Sequence, residues 1–158
     1  MVKLCLVSDN HGDRGSLSKI LYDNPDCDYY LHCGDSEMLE DEVRPFISVK
    51  GNNDYFSSFP KLRLMEIEGY RILIIHGHRI ISPANIEGLV AIAKEKGCDV
   101  VFFGHIHIFT DAVIDGIRLI NPGSTFYNRD YSEPCYAILH INRQNIEVKR
   151  INLPKSID

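Results

Sequence analysis

Asp99-Val100-Val101-Phe102-Phe103-Gly104-His105-Ile106-His107 is the stretch from which the rest of this 158-residue chain can be read. Its first five residues form an apolar run with β-branched and aromatic side chains, bounded by Gly104, and predict a buried strand. If the backbone stays extended past Gly104, residues two apart face the same side, with Cα atoms roughly 6.5 Å apart. His105 and His107 then aim two imidazoles into one small volume. A pair of solvated loop histidines fits the same letters. The weight therefore falls on what stands at the other strand ends.

Four other strand-like runs end in groups of the same kind. Val2 to Val7 runs into Ser8-Asp9-Asn10-His11-Gly12, where Asp9 and His11 repeat the two-apart spacing. Tyr29 to Cys33 ends in Gly34-Asp35; His32, inside that strand, reads as a packed or hydrogen-bonded histidine. Phe46 to Val49 leads to Gly51-Asn52-Asn53-Asp54, which reads equally as a plain turn, since Gly, Asn and Asp are turn formers. Leu62 to Ile67 and Tyr70 to Ile75 flank Glu68-Gly69 as an antiparallel hairpin, whose second strand runs into His76-Gly77-His78.

Between these runs lie helical patterns. Ser16 to Asn24 places Leu17, Ile20 and Leu21 at helical spacing, and Pro25 stops it. Met38 to Arg44 predicts a short helix ending before Pro45. Pro83 to Lys96 places Ile86, Leu89, Val90 and Ala93 on one face, with Gly97 as the stop. From Thr110 the pattern changes to antiparallel strands: Ala112 to Ile114, Arg118 to Ile120, then Tyr136 to Ile141 and Ile146 to Ile151, with Asn121-Pro122-Gly123-Ser124 as a turn. Strands alternating with helices early and dominating late point to an α/β fold of two packed sheets with helices on the outer faces. With no linker or repeat, a single domain over 1–158 is expected.

Composition narrows the function classes. The chain is 44% hydrophobic and 25% charged, as ordinary globular proteins are, which excludes disordered and fibrous classes. No apolar run approaches the ~20 residues of a membrane span. Val2 to Val7 is too short for a signal-peptide core, so a cytoplasmic location is expected. The five cysteines show no Cys-x-x-Cys spacing and read as buried reduced thiols. A net charge of −5 without a basic block argues against a dedicated nucleic-acid surface. Nothing in the sequence decides between a monomer and a homo-oligomer.

Asp9, His11, Asp35, Asn52, His76, His105 and His107 thus stand at five strand ends, where α/β folds place their sites. Imidazole and carboxylate donors without thiolate suit manganese, iron, nickel, cobalt or zinc. Seven donors exceed the need of one ion and match two ions sharing a carboxylate, for which Asp35 is the natural bridge.

Taken in order, Asp9-x-His11, Gly34-Asp35, Gly51-Asn52-Asn53-Asp54, His76 and Gly104-His105-x-His107 resemble the signature of calcineurin-like metallophosphoesterases. The short chain and Asn121-Pro122-Gly123-Ser124 are similar to the small YfcE-type phosphodiesterases. The resemblance spans Val2 to about Ser124 and implies a four-layer αββα sandwich of two mixed β-sheets flanked by helices. It also implies two divalent transition-metal ions: one on Asp9, His11 and His107, the other on Asn52, His76 and His105, with Asp35 between them. Two divalent ions against two carboxylates make a positive site that attracts phosphate, and an acidified water shared by the ions is the expected nucleophile.

The expected activity is hydrolysis of a small phosphodiester. A phosphomonoesterase or nucleotidase is the alternative. A non-catalytic interaction scaffold is another, since a retromer subunit of this fold has a degraded metal motif. One departure stands out. Many relatives have His where this chain has Asn53, so assistance to the leaving group is missing or comes from elsewhere. His78 either assists or stays solvated, and Asp54 is expected to orient the Asn52-Asn53 loop. Asn10 and Asp13 are expected to shape the first loop.

Overall fold

A computed structural model describes residues 1–154; the last four positions of the expected single domain, 155–158, lie outside the described residues. Ten strands form two five-stranded sheets. The first contains β1 (Val2–Val7), β2 (Tyr29–His32), β3 (Ile47–Ser48), β9 (Cys135–Ile141) and β10 (Ile146–Asn152), in the order β10-β9-β1-β2-β3. β1, β2 and β3 run parallel, and β9 is antiparallel to β1 and to β10. The second contains β4 (Leu62–Ile67), β5 (Tyr70–Ile75), β6 (Val100–Phe103), β7 (Thr110–Ile114) and β8 (Ile117–Asn121), in the order β4-β5-β6-β8-β7. β5, β6 and β8 run parallel, with antiparallel β4 and β7 at the edges.

The near-continuous apolar runs reflect burial on both faces of each sheet. Along β1, Leu4 and Leu6 face the space between the sheets, while Cys5 and Val7 face α1 (Arg14–Asp23) and α2 (Glu40–Val43). On the other sheet Ile72, Ile74, Val100 and Phe102 point inward. Leu73, Ile75, Val101 and Phe103 pack with Leu89, Val90 and Ala93 of α3 (Gly88–Lys96). Period-two alternation sends successive side chains to opposite layers, and the result is the expected four-layer αββα sandwich of two mixed sheets.

Several local boundaries differ from the sequence reading. α1 begins two residues early because Asp13 caps it, its side chain accepting from the Ser16 N–H at 3.2 Å. α2 has only four residues, because the proline at 45 forces Arg44 out of helical backbone (ψ 141°). The third helix starts at Gly88 rather than Pro83. Ser82 and Asn85 pair with each other, and the Asn85 side chain takes the Glu87 N–H at 3.0 Å, which competes with helix formation. The largest correction concerns β8. It is antiparallel to β7, as the hairpin pattern requires, but parallel to β6. The turn at 121–124 therefore leaves the sheet at the same edge as His76 and the His-x-His loop.

Candidate metal centre

At the carboxyl edge, parallel strands of both sheets deliver their loops to one place. The chain does not stay extended there, contrary to expectation. Asp9, His11, Asp35, His105 and His107 all have left-handed backbone, with φ of 56°, 46°, 58°, 70° and 56°. Such φ values in five non-glycine donors are a strained conformation that surrounding contacts must enforce. Here the loops after β1 and β2 continue pairing beyond the strands. Asp9 N–H donates to Gly34 O (3.0 Å), His11 N–H to Asp35 O (3.1 Å) and Gly12 N–H to Ser36 O (2.8 Å).

Close approach explains two of the glycines. A Cβ on Gly104 would stand 2.7 Å from Asp9 Oδ2, and it would also overlap Ser8 Oγ. One on Gly51 would reach within 2.5 Å of Asp35 N and overlap the Asp35 carboxylate. Any side chain at these positions would push an acidic group off its place.

Five of the seven donors fall into two overlapping groups. Asp9, His11 and His107 form one, and Asp9, Asp35 and His76 the other. Asp9 is fully buried, and among the described residues its Oδ1 has no hydrogen-bond partner. It faces three imidazole nitrogens: His107 Nε2 at 3.2 Å, His76 Nε2 at 3.8 Å and His11 Nε2 at 3.9 Å. His11 Nε2 and His107 Nε2 stand 3.2 Å apart. His76 Nε2 lies 3.0 Å from Asn52 Oδ1 and 3.4 Å from Asp35 Oδ2. Asp9 belongs to both groups, and Asp35 enters the second with its Oδ2 beside His76 Nε2. His105 donates its backbone N–H to Asp9 Oδ2 at 3.1 Å, and its ring packs edge-on to His76 at 5.3 Å between centroids.

Backbone carbonyls set the imidazole tautomers. His76 Nδ1 lies 2.7 Å from Cys33 O, and His107 Nδ1 lies 3.1 Å from Tyr127 O. A carbonyl only accepts, so each Nδ1 carries the proton and each Nε2 faces the acidic groups, the arrangement metal-binding histidines use. Electrostatics reinforce the grouping. Burial opposes ionisation of Asp9, but His76 and His107 hold its carboxyl well below the usual range. Burial likewise opposes the Asp35 charge, and the hydrogen bond from His76 lowers its pKa nonetheless. Burial disfavours the His76 cation, yet Asp9 and Asp35 push its pKa up to about 9. A proton on His76 Nε2 faces the oxygens that would ligate a cation. An orphaned buried oxygen among unshared nitrogens is what a divalent ion fits.

Asp54 is buried and accepts three backbone N–H groups: Asp35 (2.8 Å), Gly51 (2.7 Å) and Glu37 (2.9 Å). It ties the Asp35 loop to the Asn52 loop. Asn53 turns toward Asp35 as well, its N–H on Oδ1 at 2.9 Å and its Nδ2 on Oδ2 at 3.1 Å. His78 packs beside His76 at 5.5 Å; burial and the neighbouring His76 lower its pKa, and its Nδ1 is buried without a partner. His32 is the buried structural histidine expected, bonded through Nε2 to Asn10 Oδ1 at 2.8 Å.

Reading β8 as a plain hairpin strand hides a sixth contributor. Asn121 donates to Gly104 O at 3.1 Å, and Ser124 Oγ donates to Asp9 O at 2.7 Å. The chain then carries Phe126, Tyr127 and Arg129 onto a cleft of about 420 Å³ above Asp35, His105 and His107. Arg129 is anchored by its backbone N–H on His107 O at 2.9 Å. Only the Asn-Pro-Gly-Ser turn preceding these residues signals them in the sequence.

The αββα sandwich thus carries, across the carboxyl ends of both sheets, an Asp/His cluster that could hold metal ions. Residues 2–144 match the model of the calcineurin-like phosphoesterase superfamily domain, and the chain belongs to that family. It is 32% identical over 151 residues to a probable metallophosphoesterase of Bacillus subtilis, YsnB, covering 94% of this chain and 89% of that one. A Streptococcus pneumoniae protein described as a predicted phosphoesterase superposes with a TM-score of 0.86 at 26% identity, covering 96% of this chain and 89% of that chain. Vps29 of Chaetomium thermophilum shares the fold, with a TM-score of 0.74 at 18% identity, covering 96% and 97%.

Proposed function

We propose that this chain is a phosphodiesterase dependent on two divalent transition-metal ions, manganese first among them. The observation that carries the reading is Asp9 Oδ1, buried without a partner and facing Nε2 of His11, His76 and His107. Asp9, His11 and His107 would hold one ion and Asn52, His76 and His105 the other, with Asp35 reaching both. Such ions, when bound, supply a positive clamp for a phosphoryl group and a water acidic enough to attack at neutral pH.

The remaining work belongs to the chain. Cys33 O and Tyr127 O fix the His76 and His107 rings so that each Nε2 is free. Asp54 holds the Asp35 backbone N–H, and Asn53 holds the Asp35 carboxylate that lines the cleft. Arg129, an exposed cation lining the cleft, stands where it can pair with a phosphate oxygen. Phe126 and Tyr127 give the His11–His107 side an aromatic wall suited to the organic part of an ester. All seven donors are present, which favours an enzyme over a scaffold. Whether the preferred ester is a diester or a monoester rests on turnover.

Metal analysis beside a substrate panel tests the reading. Protein given excess manganese should hold two ions per chain and cleave bis(p-nitrophenyl) phosphate faster than p-nitrophenyl phosphate. Asp35→Asn should weaken both ions, and His11→Ala mainly one. A stoichiometry of one or none in the wild type, or undiminished turnover after chelation, would sink it.

A further inference from the structure

On the Asn52–His76 side of the centre lies a second pocket of about 400 Å³. Lys50, Lys61 and Arg79 line it, over a floor that includes Leu62, Ile75 and Ile80. No Asp or Glu lines it, and among the described residues none of the three cations has a carboxylate within ion-pair distance. Five other cations among the described residues do find acids: Lys3 pairs with Asp26, Arg14 with Glu42, Lys19 with Asp23, Arg44 with Asp41 and Arg118 with Asp111. In a chain of net charge −5, three uncompensated cations around one concavity form a local positive field, which low-dielectric walls concentrate. Asn52 lines both this pocket and the cleft over the metal centre. Asn52 thus links the cleft that would take the ester phosphate to the pocket that carries the three cations.

We propose that the Lys50–Lys61–Arg79 pocket binds a second phosphate group of the substrate, so that the preferred ester carries a further phosphate monoester on its Asn52-side half. The proposal rests on the phosphoesterase reading of the adjacent centre. Its chemistry is specific. Arg79 offers a planar fork that matches phosphate oxygens, and the two lysines add flexible point charges around it. Leu62, Ile75 and Ile80, in the same lining, suit the carbon linker that joins the two phosphates. On the opposite side, Phe126 and Tyr127 form an aromatic wall with one cation, Arg129, beside it and the acid Glu37 in the same lining, against three cations and no acid in the Lys50–Lys61–Arg79 pocket. The site is therefore polar along its length, with an aromatic end and an anionic-group end.

Binding measurements keep this separate from turnover. The manganese-loaded full chain is titrated calorimetrically with thymidine 3′,5′-bisphosphate and thymidine 5′-phosphate. Partly exposed ion pairs are each worth about 1.4- to 5-fold in affinity, so three should favour the bisphosphate by roughly tenfold at low salt. That preference should shrink as salt rises. Lys61→Ala/Arg79→Ala should bring the two affinities within about twofold, and the single Lys61→Gln and Arg79→Gln variants should each fall between. Lys94→Ala/Lys96→Ala, which removes equal charge from exposed positions on α3, should leave the preference intact. Equal affinities in the wild type, or a preference that survives the Lys61/Arg79 double variant, overturns the proposal. Manganese content and diester turnover, measured on the same samples, report on the phosphoesterase reading itself. If turnover is nil while the bisphosphate preference appears and responds to Lys61 and Arg79, the pocket stands and that reading falls.

Discussion

Removing the Asp54 carboxylate should unfold the chain more readily than its position in a loop implies. Its two oxygens take backbone N–H groups from Asp35, Gly51 and Glu37 at 2.7–2.9 Å. The first two donors belong to buried residues, whereas Glu37 is exposed and can turn to water. A buried donor left without its acceptor costs about 1–3 kcal/mol, and bonds to a charged acceptor lie toward the upper end. Asp54→Ala should therefore cost roughly 3–5 kcal/mol, a large part of the 5–15 kcal/mol typical of a whole domain. Asp54→Asn keeps one oxygen for Asp35 and Gly51 and sets its amide NH₂ against the Glu37 N–H, so about 1–2 kcal/mol is expected.

Urea unfolding in the presence of chelator isolates this cost from metal binding, and a metal titration follows on the folded variants. Because Asp54 holds the Asp35 and Asn52 loops together, Asp54→Asn should also lose about 10- to 100-fold in metal affinity, as partners behind metal ligands typically do. An Asp54→Ala chain within about 1 kcal/mol of the wild type would refute the reasoning, because it would mean that water or another acceptor replaces all three bonds.

Two further outcomes follow from named side chains. An amide at Asn53 cannot supply a proton at neutral pH, and here it holds Asp35. Across a series of aryl and alkyl diesters, turnover should fall steeply as leaving-group pKa rises. Asn53→Ala should cost tenfold or under, well below the 10²–10⁴ typical of a lost general acid. A flat series would instead implicate His78. His32 offers a pH test. Burial pushes its pKa down to about 4, and its ring must stay neutral to accept the Gly34 N–H (3.0 Å) while donating to Asn10. The unfolded chain takes up this proton near pH 6.5, so the His32 contribution is present above that pH and is lost as pH falls toward 4. Chelator-treated wild type should lose about 3 kcal/mol more than His32→Gln between pH 7.5 and 4; equal losses would show that His32 titrates normally in the fold.

The elements that the sequence made legible are those with a local cause. Val2–Val7, Leu62–Ile67 and Tyr70–Ile75 match their expected bounds, because each is an apolar run between turn-forming residues. Strand ends with donors were equally visible, since Asp9, Asp35, His76 and His105 each follow such a run within a few residues. What came from outside the local pattern was decided by distant partners. The left-handed backbone at Asp9, His11 and Asp35 is enforced by pairing between the loops after β1 and β2, which are more than twenty residues apart. The parallel register of β8 on β6 depends on which strand lies beside it, and a hairpin pattern specifies only its partner β7. Through that register Ser124 reaches Asp9, and Arg129 reaches the cleft. Lys50, Lys61 and Arg79 form no run in the sequence and converge only because β3 and β5 end, and antiparallel β4 begins, at one edge of the sandwich. Periodicity decided what each segment could become, because burial acts on neighbouring side chains through the strand and helix repeats. Only the packing of two sheets decided which charges and lone pairs would meet.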